Sequence, residues 1–289
     1  MRRCVSCEAT LEGVGWNCPR CCFAPAVVDG VPLLAPELAR GNPKDADYGY
    51  DELHAAEGSH FWFTNRSQLI AWATRRYFPE ARSFFDVGCG TGGVLTALCS
   101  TLPGVTFAGA DALLAGLAFA CRQLPDVAFA QVDIRRLPYD REFDLIGVFD
   151  VLEHLDDDER ALRETYRSTN VGGGLIVTVP QHRFLWSALD EHSHHRRRYT
   201  RRQMVETIER AGYVVERATS FMTLTLPAQL VSRVRKRSLA TLNPAAEMRL
   251  NPFVNSILGA MCGVERTAIA AGVSLPVGGS LLVVARRTS

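Results

Sequence analysis

Apolar residues along the chain recur with two different periods, and the change between them divides the sequence. Two early stretches, one starting near Tyr48 and one spanning Phe61 to Tyr77, have the period of a helix. From Ser83 onward, short apolar runs typical of buried strands alternate with helical stretches. This alternation predicts a parallel α/β sheet with helices on its faces.

Seven of the apolar runs are predicted to be strands. They span residues 83–87, 105–111, 127–132, 143–149, 175–179, 213–219 and 280–285. A helix is predicted from Arg201 to Ala211, where Gly212 ends it. Residues 221–278 lie between the last two strands and are too many for a hairpin loop, so this insertion is predicted to contain helices of its own.

These elements divide the chain into four segments. Residues 1–35 lack helical periodicity and are predicted to form a small appended module, and residues 36–80 are predicted to form a helical cap. Residues 81–220 together with 279–289 form the predicted α/β core, and residues 221–278 form the helical insertion.

A glycine loop follows the first predicted core strand. Gly88, Gly90 and Gly92 come directly after Asp86 and Val87, where the chain must turn from a strand into a helix. Such a turn presents backbone N–H groups that suit a carboxylate as well as a phosphate. Because the loop also satisfies the GxGxxG pattern, it alone does not exclude a nicotinamide-dependent oxidoreductase.

Acidic residues at the ends of the next strands extend the pattern. Asp111 ends the second strand, where it could bind ribose hydroxyls, and Asp133 follows the third, where it could accept a hydrogen bond from an adenine amino group. Asp150, Glu153 and His154 follow the fourth strand, at the edge where ligands bind in open α/β sheets. In this order, the motifs resemble those of the class I S-adenosylmethionine-dependent methyltransferases.

The resemblance covers about residues 60–220 and the final strand. It implies a Rossmann-like sheet of seven strands with an antiparallel last strand. It also implies that Asp86 orders the methionine end of the cofactor, Asp111 the ribose, and Asp133 with the Ile134 backbone the adenine. The implied cofactor-binding residues are Asp86, Gly88, Gly90, Gly92, Asp111, Asp133, Ile134 and Asp150. Ala112 departs from the family pattern, where a polar residue is common, which leaves further adenosine contacts open.

Histidines and arginines mark two places where a methyl acceptor could bind. Methyl transfer from a sulfonium is an in-line displacement, and a hydroxyl acceptor also needs a base. The predicted catalytic residues are His154, His194 and His195, and the predicted acceptor-binding residues are His182, Trp186, Arg196, Arg197, Arg198 and Tyr199. The alternatives are a helix-start histidine at position 154 and a solvated basic loop for the second cluster.

The arginine cluster favours an anionic acceptor, because guanidinium groups bind phosphates and carboxylates. Similar His-Arg-Arg-Tyr segments after the fifth strand occur in bacterial small-molecule and glycan methyltransferases. We therefore expect O-methylation of an anionic small molecule, a natural product, or a glycan that could be lipid-linked.

Four cysteines form two CxxC pairs in the first segment. Cys4 and Cys7 are separated from Cys18 and Cys21 by a spacing that lets four thiolates surround a structural Zn²⁺. The adjacent Cys22 leaves the fourth ligand open. The module resembles a zinc ribbon, and some ribosomal RNA guanine methyltransferases join one to this catalytic fold. RNA base methylation is therefore the alternative function, and an interaction or homodimerisation role of the module is equally consistent.

Composition and charge bear on the partners and the location. The 289 residues are 47% hydrophobic and 22% charged, as in a globular enzyme, and the formal net charge of +1 makes a nucleic-acid partner unfavoured. With no membrane span or signal peptide predicted, a cytoplasmic location is expected. The apolar stretch from Phe221 to Leu230 precedes Arg233, Arg235, Lys236 and Arg237. That pattern suits ordinary helix packing or a peripheral contact with an anionic membrane.

Overall fold

The computed structural model of the protein describes residues 1–13, 15–39, 49–235 and 250–289, and the side chains of all of these except 231–235. Two small hairpins open the chain: β1 (Arg2–Arg3) pairs with β2 (Thr10–Leu11), and β3 (Val27–Val28) pairs with β4 (Val31–Pro32). Two helices follow, α1 (Tyr50–Glu57) and α2 (Phe61–Tyr77). The helix predicted from near Tyr48 begins at Tyr50, and residues 40–48 lie outside the described chain.

The remaining strands form one sheet. They are β5 (Ser83–Val87), β6 (Thr106–Asp111), β7 (Ala128–Gln131), β8 (Phe143–Phe149), β9 (Thr169–Pro180), β10 (Val214–Phe221) and β11 (Ser280–Arg286). Their order is β10-β11-β9-β8-β5-β6-β7, and β11 is antiparallel to both of its neighbours. The prediction of a seven-stranded Rossmann-like sheet with an antiparallel last strand is confirmed.

Helices cover both faces of the sheet. They are α3 (Gly93–Thr101), α4 (Leu114–Gln123), α5 (Asp158–Ser168), α6 (Ala188–His192), α7 (Arg201–Arg210), α8 (Leu226–Arg235) and α9 (Pro252–Ala270). Residues of α2, α3, α4 and α9 pack in the apolar cluster on one face, and residues of α5 and α7 pack on the other. The carboxyl ends of the parallel strands are left as the edge that carries the predicted site.

Strand β9 begins earlier than predicted. The strand starts at Thr169 rather than at residue 175 and includes Gly172, Gly173 and Gly174. A Cβ on Gly174 would overlap the ring of Phe78 and lie 2.6 Å from the Ala285 carbonyl oxygen. Neighbouring groups approach Gly173 and Gly174 closely, whereas Gly172 has a φ of 81° and lies where the register with β8 shifts.

The insertion between β10 and β11 contains the helices α8 and α9, but it begins later than predicted. Phe221 ends β10 and is fully buried in the core, so its assignment to an apolar stretch of the insertion is wrong; α8 starts at Leu226. Of the predicted basic run, the side chains of Arg233 and Arg235 and all of Lys236 and Arg237 lie outside the described part. No helix among the described residues is both long and apolar enough to span a membrane.

The segment after β4 connects the first module to the core. Leu33 forms a parallel bridge with Gln131, and the Leu34 N–H donates to the Gln131 carbonyl at 2.9 Å. The Gln131 side chain donates from Nε2 to the carbonyl oxygens of Ala35 and Ala112, both at 2.8 Å. One buried amide therefore joins the segment, the edge strand β7 and the loop that follows Asp111.

Candidate functional site

The glycine loop between β5 and α3 has a backbone that favours glycine. Gly88, Gly90 and Gly92 have φ values of 85°, 53° and 88°, in the left-handed region. A Cβ on Gly88 would clash with Val151, whereas no described atom lies within 4 Å of a Cβ built on Gly90. The loop is therefore packed against the β8 end on one side and open at Gly90, where a ligand could approach.

Asp111 supports this loop from the end of β6. Its Oδ2 accepts a hydrogen bond from the Gly90 N–H at 2.9 Å, and its Oδ1 accepts one from the Leu113 N–H at 2.9 Å. Burial raises the pKa of Asp111, and the backbone N–H groups oppose that rise. Each carboxylate oxygen keeps a lone pair for a ribose hydroxyl.

Asp86 is a buried carboxylate at the end of β5. It is 1% exposed, and its Oδ1 has no hydrogen-bond partner among the described residues. Burial raises the pKa of Asp86 to about 7, although the charge of Arg66 opposes the rise. A buried acceptor with an unused oxygen fits the ammonium group of a methionine moiety. The residues present thus suit S-adenosylmethionine.

The predicted adenine residues lie together after β7. Asp133 Oδ1 accepts from the N–H and the Nε of Arg135, and Oδ2 accepts from Nη2, all at 2.9 Å. Ile134 is buried, and Leu137, which could have formed a wall beside the adenine, lies in the core. Because Arg135 uses both oxygens of Asp133, the role of Asp133 in adenine binding stays a prediction.

Two residues that the sequence did not indicate contact the glycine loop or the end of β8. Glu57, at the end of α1, accepts a hydrogen bond from Thr91 Oγ1 at 2.6 Å. Burial raises the pKa of Glu57. Arg66, in α2, forms an ion pair with Asp150. Both were assigned only to a helical cap; charged residues within apolar helical stretches were the signal that could have identified them.

Three polar residues follow β8. Asp150 has a φ of 55° and accepts a hydrogen bond from Thr178 Oγ1 at 3.1 Å. Glu153 is fully buried, and in the described structure neither of its carboxylate oxygens has a hydrogen-bond partner. Burial, with the nearby Asp150, raises the pKa of Glu153 well above its usual range. Burial, with His195 and His194, lowers the pKa of His154 to about 3, so its imidazole is neutral.

The histidine cluster after β9 meets this strand end. The rings of His154 and His195 lie edge to face with their centroids 4.8 Å apart, and His195 Nε2 is 3.9 Å from Glu153 Oε1. His195 Nδ1 is 3.0 Å from Asp190 Oδ1. His194 precedes His195 and is exposed. The structure therefore brings together His154 and His195, two of the three predicted catalytic histidines.

Asp190 was not predicted as a site residue. It is 1% exposed, and Arg198 donates to it from Nε at 2.7 Å and from Nη2 at 3.1 Å. Burial alone would raise the pKa of Asp190, but the hydrogen bond from His195 and the charge of Arg198 hold it well below its usual range. An acid five positions before a histidine, within a cluster rich in arginine, was the available signal.

The predicted acceptor arginines are engaged within the protein. Arg196 pairs with Asp156, Arg197 Nη1 is 3.2 Å from Asp158 Oδ2, and Arg198 pairs with Asp190. The Tyr199 hydroxyl donates to Asp158 at 2.6 Å. These contacts tie the cluster to the end of β8. Binding of an acceptor by Arg196, Arg197, Arg198 and Tyr199 stays a prediction.

Two neighbours of this cluster have polar atoms that the described residues leave without partners. Gln181 is fully buried and uses neither side-chain amide atom, and Nε2 of His182 is likewise unused. His182 stacks on Phe184, and Trp186 Nε1 donates to Glu191 at 3.4 Å. Gln181 and His182 follow β9, as Glu153 follows β8, so unused polar atoms collect at the ends of adjacent strands.

Among the described residues, two groups of side chains could hold a metal ion. The sulfur atoms of Cys4, Cys7, Cys18 and Cys21 all lie within 4.8 Å of one another, with Cys4–Cys21 and Cys7–Cys18 distances of 3.6 Å. Cys22 is exposed and lies outside this group. The second group is Glu153, His154 and His195, whose ligand atoms also lie within 4.8 Å.

Known proteins resemble the part of the chain that carries this site. Residues 54–218 match the family described as Methyltransferase domain. Trans-aconitate 2-methyltransferase of Deinococcus radiodurans is 36% identical over 113 residues, covering 37% of this chain and 43% of that protein. A dTDP-4-amino-2,3,4,6-tetradeoxy-D-glucose N,N-dimethyltransferase of Saccharopolyspora spinosa is 32% identical over 146 residues, covering 47% and 54%. The chain thus matches about half the length of these relatives or less.

A solved structure shows the same fold. Phosphoethanolamine N-methyltransferase 2 of Haemonchus contortus, in complex with S-adenosyl-L-methionine, has a TM-score of 0.52 and 17% identity, covering 77% of this chain and 52% of that one. The sheet order, the glycine loop with Asp111 and the match over residues 54–218 agree with one another. The chain belongs to the methyltransferase domain family.

Proposed function

We propose that the protein transfers the methyl group of S-adenosylmethionine to a hydroxyl oxygen of a small-molecule or glycan acceptor, with His195 as the base. The observation that carries this proposal is the contact between His195 and the buried Asp190 beside the end of β8. When bound, S-adenosylmethionine supplies an electrophilic methyl group. The protein must then align the acceptor and remove its proton.

Asp190 determines which nitrogen of His195 can accept a proton. Because a carboxylate only accepts hydrogen bonds, the 3.0 Å contact gives Nδ1 the proton and leaves the lone pair on Nε2. Arg198 and Ser187 hold Asp190 in place from other directions. After proton transfer, the negative charge of Asp190 stabilises the imidazolium, as in hydrolase triads. Asp190 is thus a positioning residue for His195.

The unused polar atoms nearby support a hydroxyl-rich acceptor. Buried polar groups in native proteins are almost always hydrogen-bonded, so those that lack a protein partner are candidates to bind a ligand. Glu153 and Gln181 have such atoms in the described structure, and both are fully buried. A Gln181 amide can donate and accept at once, which suits adjacent hydroxyls of a sugar.

An anionic acceptor, the class that the sequence predicts, would pair with a cation other than the three consecutive arginines. Arg196, Arg197 and Arg198 are already paired with acids. Arg201 Nε is buried without a hydrogen-bond partner in the described chain. Burial lowers the pKa of His182, and the charges of Arg198 and Arg201 lower it further. We infer that Arg201 binds an acidic group of the acceptor. The trans-aconitate and sugar methyltransferases among the relatives support these acceptor classes.

Turnover tests the proposal. Protein would be incubated with radiolabelled S-adenosylmethionine and a panel of nucleotide sugars, hydroxylated carboxylic acids and ribosomal RNA, and methylated products would be located by mass spectrometry. We expect methylated hydroxyl groups. His195→Ala should lower kcat by about 10² to 10⁴ while S-adenosylhomocysteine affinity is retained, because a general base acts on turnover and not on cofactor binding.

Control variants test whether His195 acts as the general base or has another role. Asp190→Asn should lower kcat less than His195→Ala, and His192→Ala, in the same cluster, should leave it unchanged. If His195→Ala retains full turnover, His195 is not the base. A requirement for added Mg²⁺ or Mn²⁺ would instead favour a metal at Glu153, His154 and His195. Methylation of RNA bases alone would replace this proposal with the alternative function.

We also infer that Cys4, Cys7, Cys18 and Cys21 hold a structural Zn²⁺. A tetrahedral site with Zn–S bonds of about 2.3 Å has sulfurs about 3.8 Å apart, near the 3.6 Å of the Cys4–Cys21 and Cys7–Cys18 pairs. Four thiolates leave no coordination position for a substrate, so the ion would stabilise the module and take no part in methyl transfer.

A further inference from the structure

Helix α9 presents a row of apolar side chains to solvent. Phe253 is 73% exposed, Ile257 45% and Val264 66%. With the exposed Ala260 they recur every three or four residues, so they lie along one side of the helix over about 17 Å. We call these four residues the α9 stripe. A single exposed apolar side chain is ordinary, but a row of them on one helix indicates a contact surface.

The opposite side of α9 is packed against the body of the protein. Cys262, Glu265 and Ile269 are buried there. Glu265 Oε2 accepts hydrogen bonds from the N–H groups of Thr223 and Leu224, at 2.7 Å and 3.0 Å. A surface helix normally has a polar outer side, whereas residues 252–264 include no charged residue at all. The α9 stripe is exposed although its helix is fixed in place, which indicates that another surface covers it.

The insertion that contains α9 is also the basic part of the chain. Residues 221–278 contain six arginines and lysines and two glutamates, a formal net charge of +4. The rest of the chain contains 26 basic and 29 acidic residues, a formal net charge of −3, which together give the +1 of the whole. Four of the six basic residues follow one another closely, from Arg233 at the end of α8 to Arg237. This asymmetry favours an anionic surface as the partner of the insertion.

A bilayer with anionic lipids fits these observations better than a second copy of the chain. Two copies that paired through their α9 stripes would bring two insertions of charge +4 together, and like charges at an interface oppose association. A bilayer takes up apolar side chains beneath its headgroups, and anionic headgroups attract lysine and arginine. One surface therefore accounts for both the apolar row and the basic run.

We propose that the α9 stripe docks on a membrane rich in anionic lipids, with its apolar side chains inserted beneath the headgroups. Because the stripe runs along the side of the helix, α9 lies parallel to the membrane plane. The apolar partner of the basic run is thus α9, and not the stretch from Phe221 that the sequence indicated. Asn255 Oδ1 accepts a hydrogen bond from the Phe61 N–H at 2.8 Å, which joins α9 to the start of α2. The inference does not depend on which molecule accepts the methyl group.

Flotation with lipid vesicles tests this proposal. One set of vesicles contains phosphatidylglycerol and phosphatidylcholine, and the other contains phosphatidylcholine alone. Wild-type protein should float with the first set, and less of it should float as NaCl is added, because salt screens the charges. Phe253→Ser with Ile257→Ser should weaken binding by about tenfold or more, because two large apolar side chains no longer enter the bilayer. Arg233→Gln with Arg235→Gln should weaken it by about fivefold or more.

A matched variant and a size measurement decide the outcome. Val171→Ser with Val214→Ser removes two similarly exposed apolar side chains from β9 and β10, and it should bind vesicles as the wild type does. The proposal is overturned if wild-type protein floats with neither set, floats equally with both, or is weakened equally by the two serine variants. The arginine variant replaces the α9 variant as the test if the latter does not fold.

Light scattering without lipid identifies the competing occupant. We expect a wild-type mass that Phe253→Ser with Ile257→Ser leaves unchanged. A wild-type dimer that this variant converts to a monomer would overturn the proposal, because the α9 stripe would then be an interface between two copies of the chain.

Discussion

The buried carboxyl group of Asp86 lowers the stability of the ligand-free protein and is proposed to bind the cofactor. Its carboxyl group is buried at the end of β5, and burial raises its pKa from the usual 3.8 to about 7. Between these two pH values the folded chain holds a proton that the unfolded chain has released. The free energy of unfolding therefore falls as pH rises from about 4 to about 7, by the linkage of protonation to folding.

Asp86→Asn should stabilise the ligand-free protein and abolish cofactor binding. Asparagine has nearly the same shape but no charge to bury, so the penalty at neutral pH disappears. We expect the Tm of the variant to exceed that of the wild type by roughly 3 °C or more at pH 8 and by less at pH 5. Scanning calorimetry at both pH values, with S-adenosylhomocysteine titration beside it, measures both effects. An equal difference at the two pH values would show that the buried charge of Asp86 is not the cause.

Residues near each other in sequence were predicted, and residues assembled by tertiary contacts were not. Gly88, Gly90 and Asp111 belong to a strand-turn-helix pattern that is visible in the sequence. Glu57 contacts the loop from α1, and Arg66 contacts Asp150 from α2, both through tertiary packing. The contact of Asp190 with His195 likewise depends on how the segment after β9 folds.

Helices and strands of the core were predicted where the spacing of apolar residues indicated them. The start of β9 was the exception, because Gly172, Gly173 and Gly174 have no apolar side chains to continue the strand pattern. In the sheet, Gly173 faces the Asp144 carbonyl and Gly174 faces the Phe78 ring. Residues far away in sequence approach these two positions, and no local pattern in the sequence reports such contacts.

Gly174→Ala should therefore destabilise the sheet. The new methyl group would overlap Phe78 and the backbone of β11, and such overpacking costs about 1 to 3 kcal/mol or more. Urea unfolding measures the loss. Gly58→Ala is the matched control, since its φ is −79° and no described atom lies within 4 Å of the added Cβ. The interpretation fails if both variants unfold at the same urea concentration.

At the scale of the whole molecule, the cysteine module and the cofactor loop share one connection. The segment from Leu33 to Ala35 pairs with Gln131, whose side chain also holds the Ala112 carbonyl, one residue after Asp111. A module that loses its metal should also loosen this segment, because metal binding and folding are coupled in such sites.

Removal of the proposed Zn²⁺ should consequently weaken cofactor binding and lower the stability of the protein. We expect Cys18→Ser, or treatment with a chelator, to lower the Tm and to weaken S-adenosylhomocysteine binding by about fivefold, the lower end of typical coupling between sites. In a Gln131→Leu background, loss of the metal should weaken S-adenosylhomocysteine binding less, because the side chain that connects the module to the loop after Asp111 is absent. A lower Tm with unchanged cofactor affinity in the Gln131-containing protein would show that the module folds independently of the cofactor loop.

The position of β11 has a consequence for synthesis on the ribosome. Strand β10 joins the sheet only through β11, which lies between β10 and β9 yet follows β10 by the whole insertion. While the insertion is being translated, β9 and β10 each have an unpaired edge, and unpaired strand edges can form hydrogen bonds with other chains. Translation that stalls before Ser280 would therefore release a product prone to aggregate, even though every residue of the glycine loop had already been made.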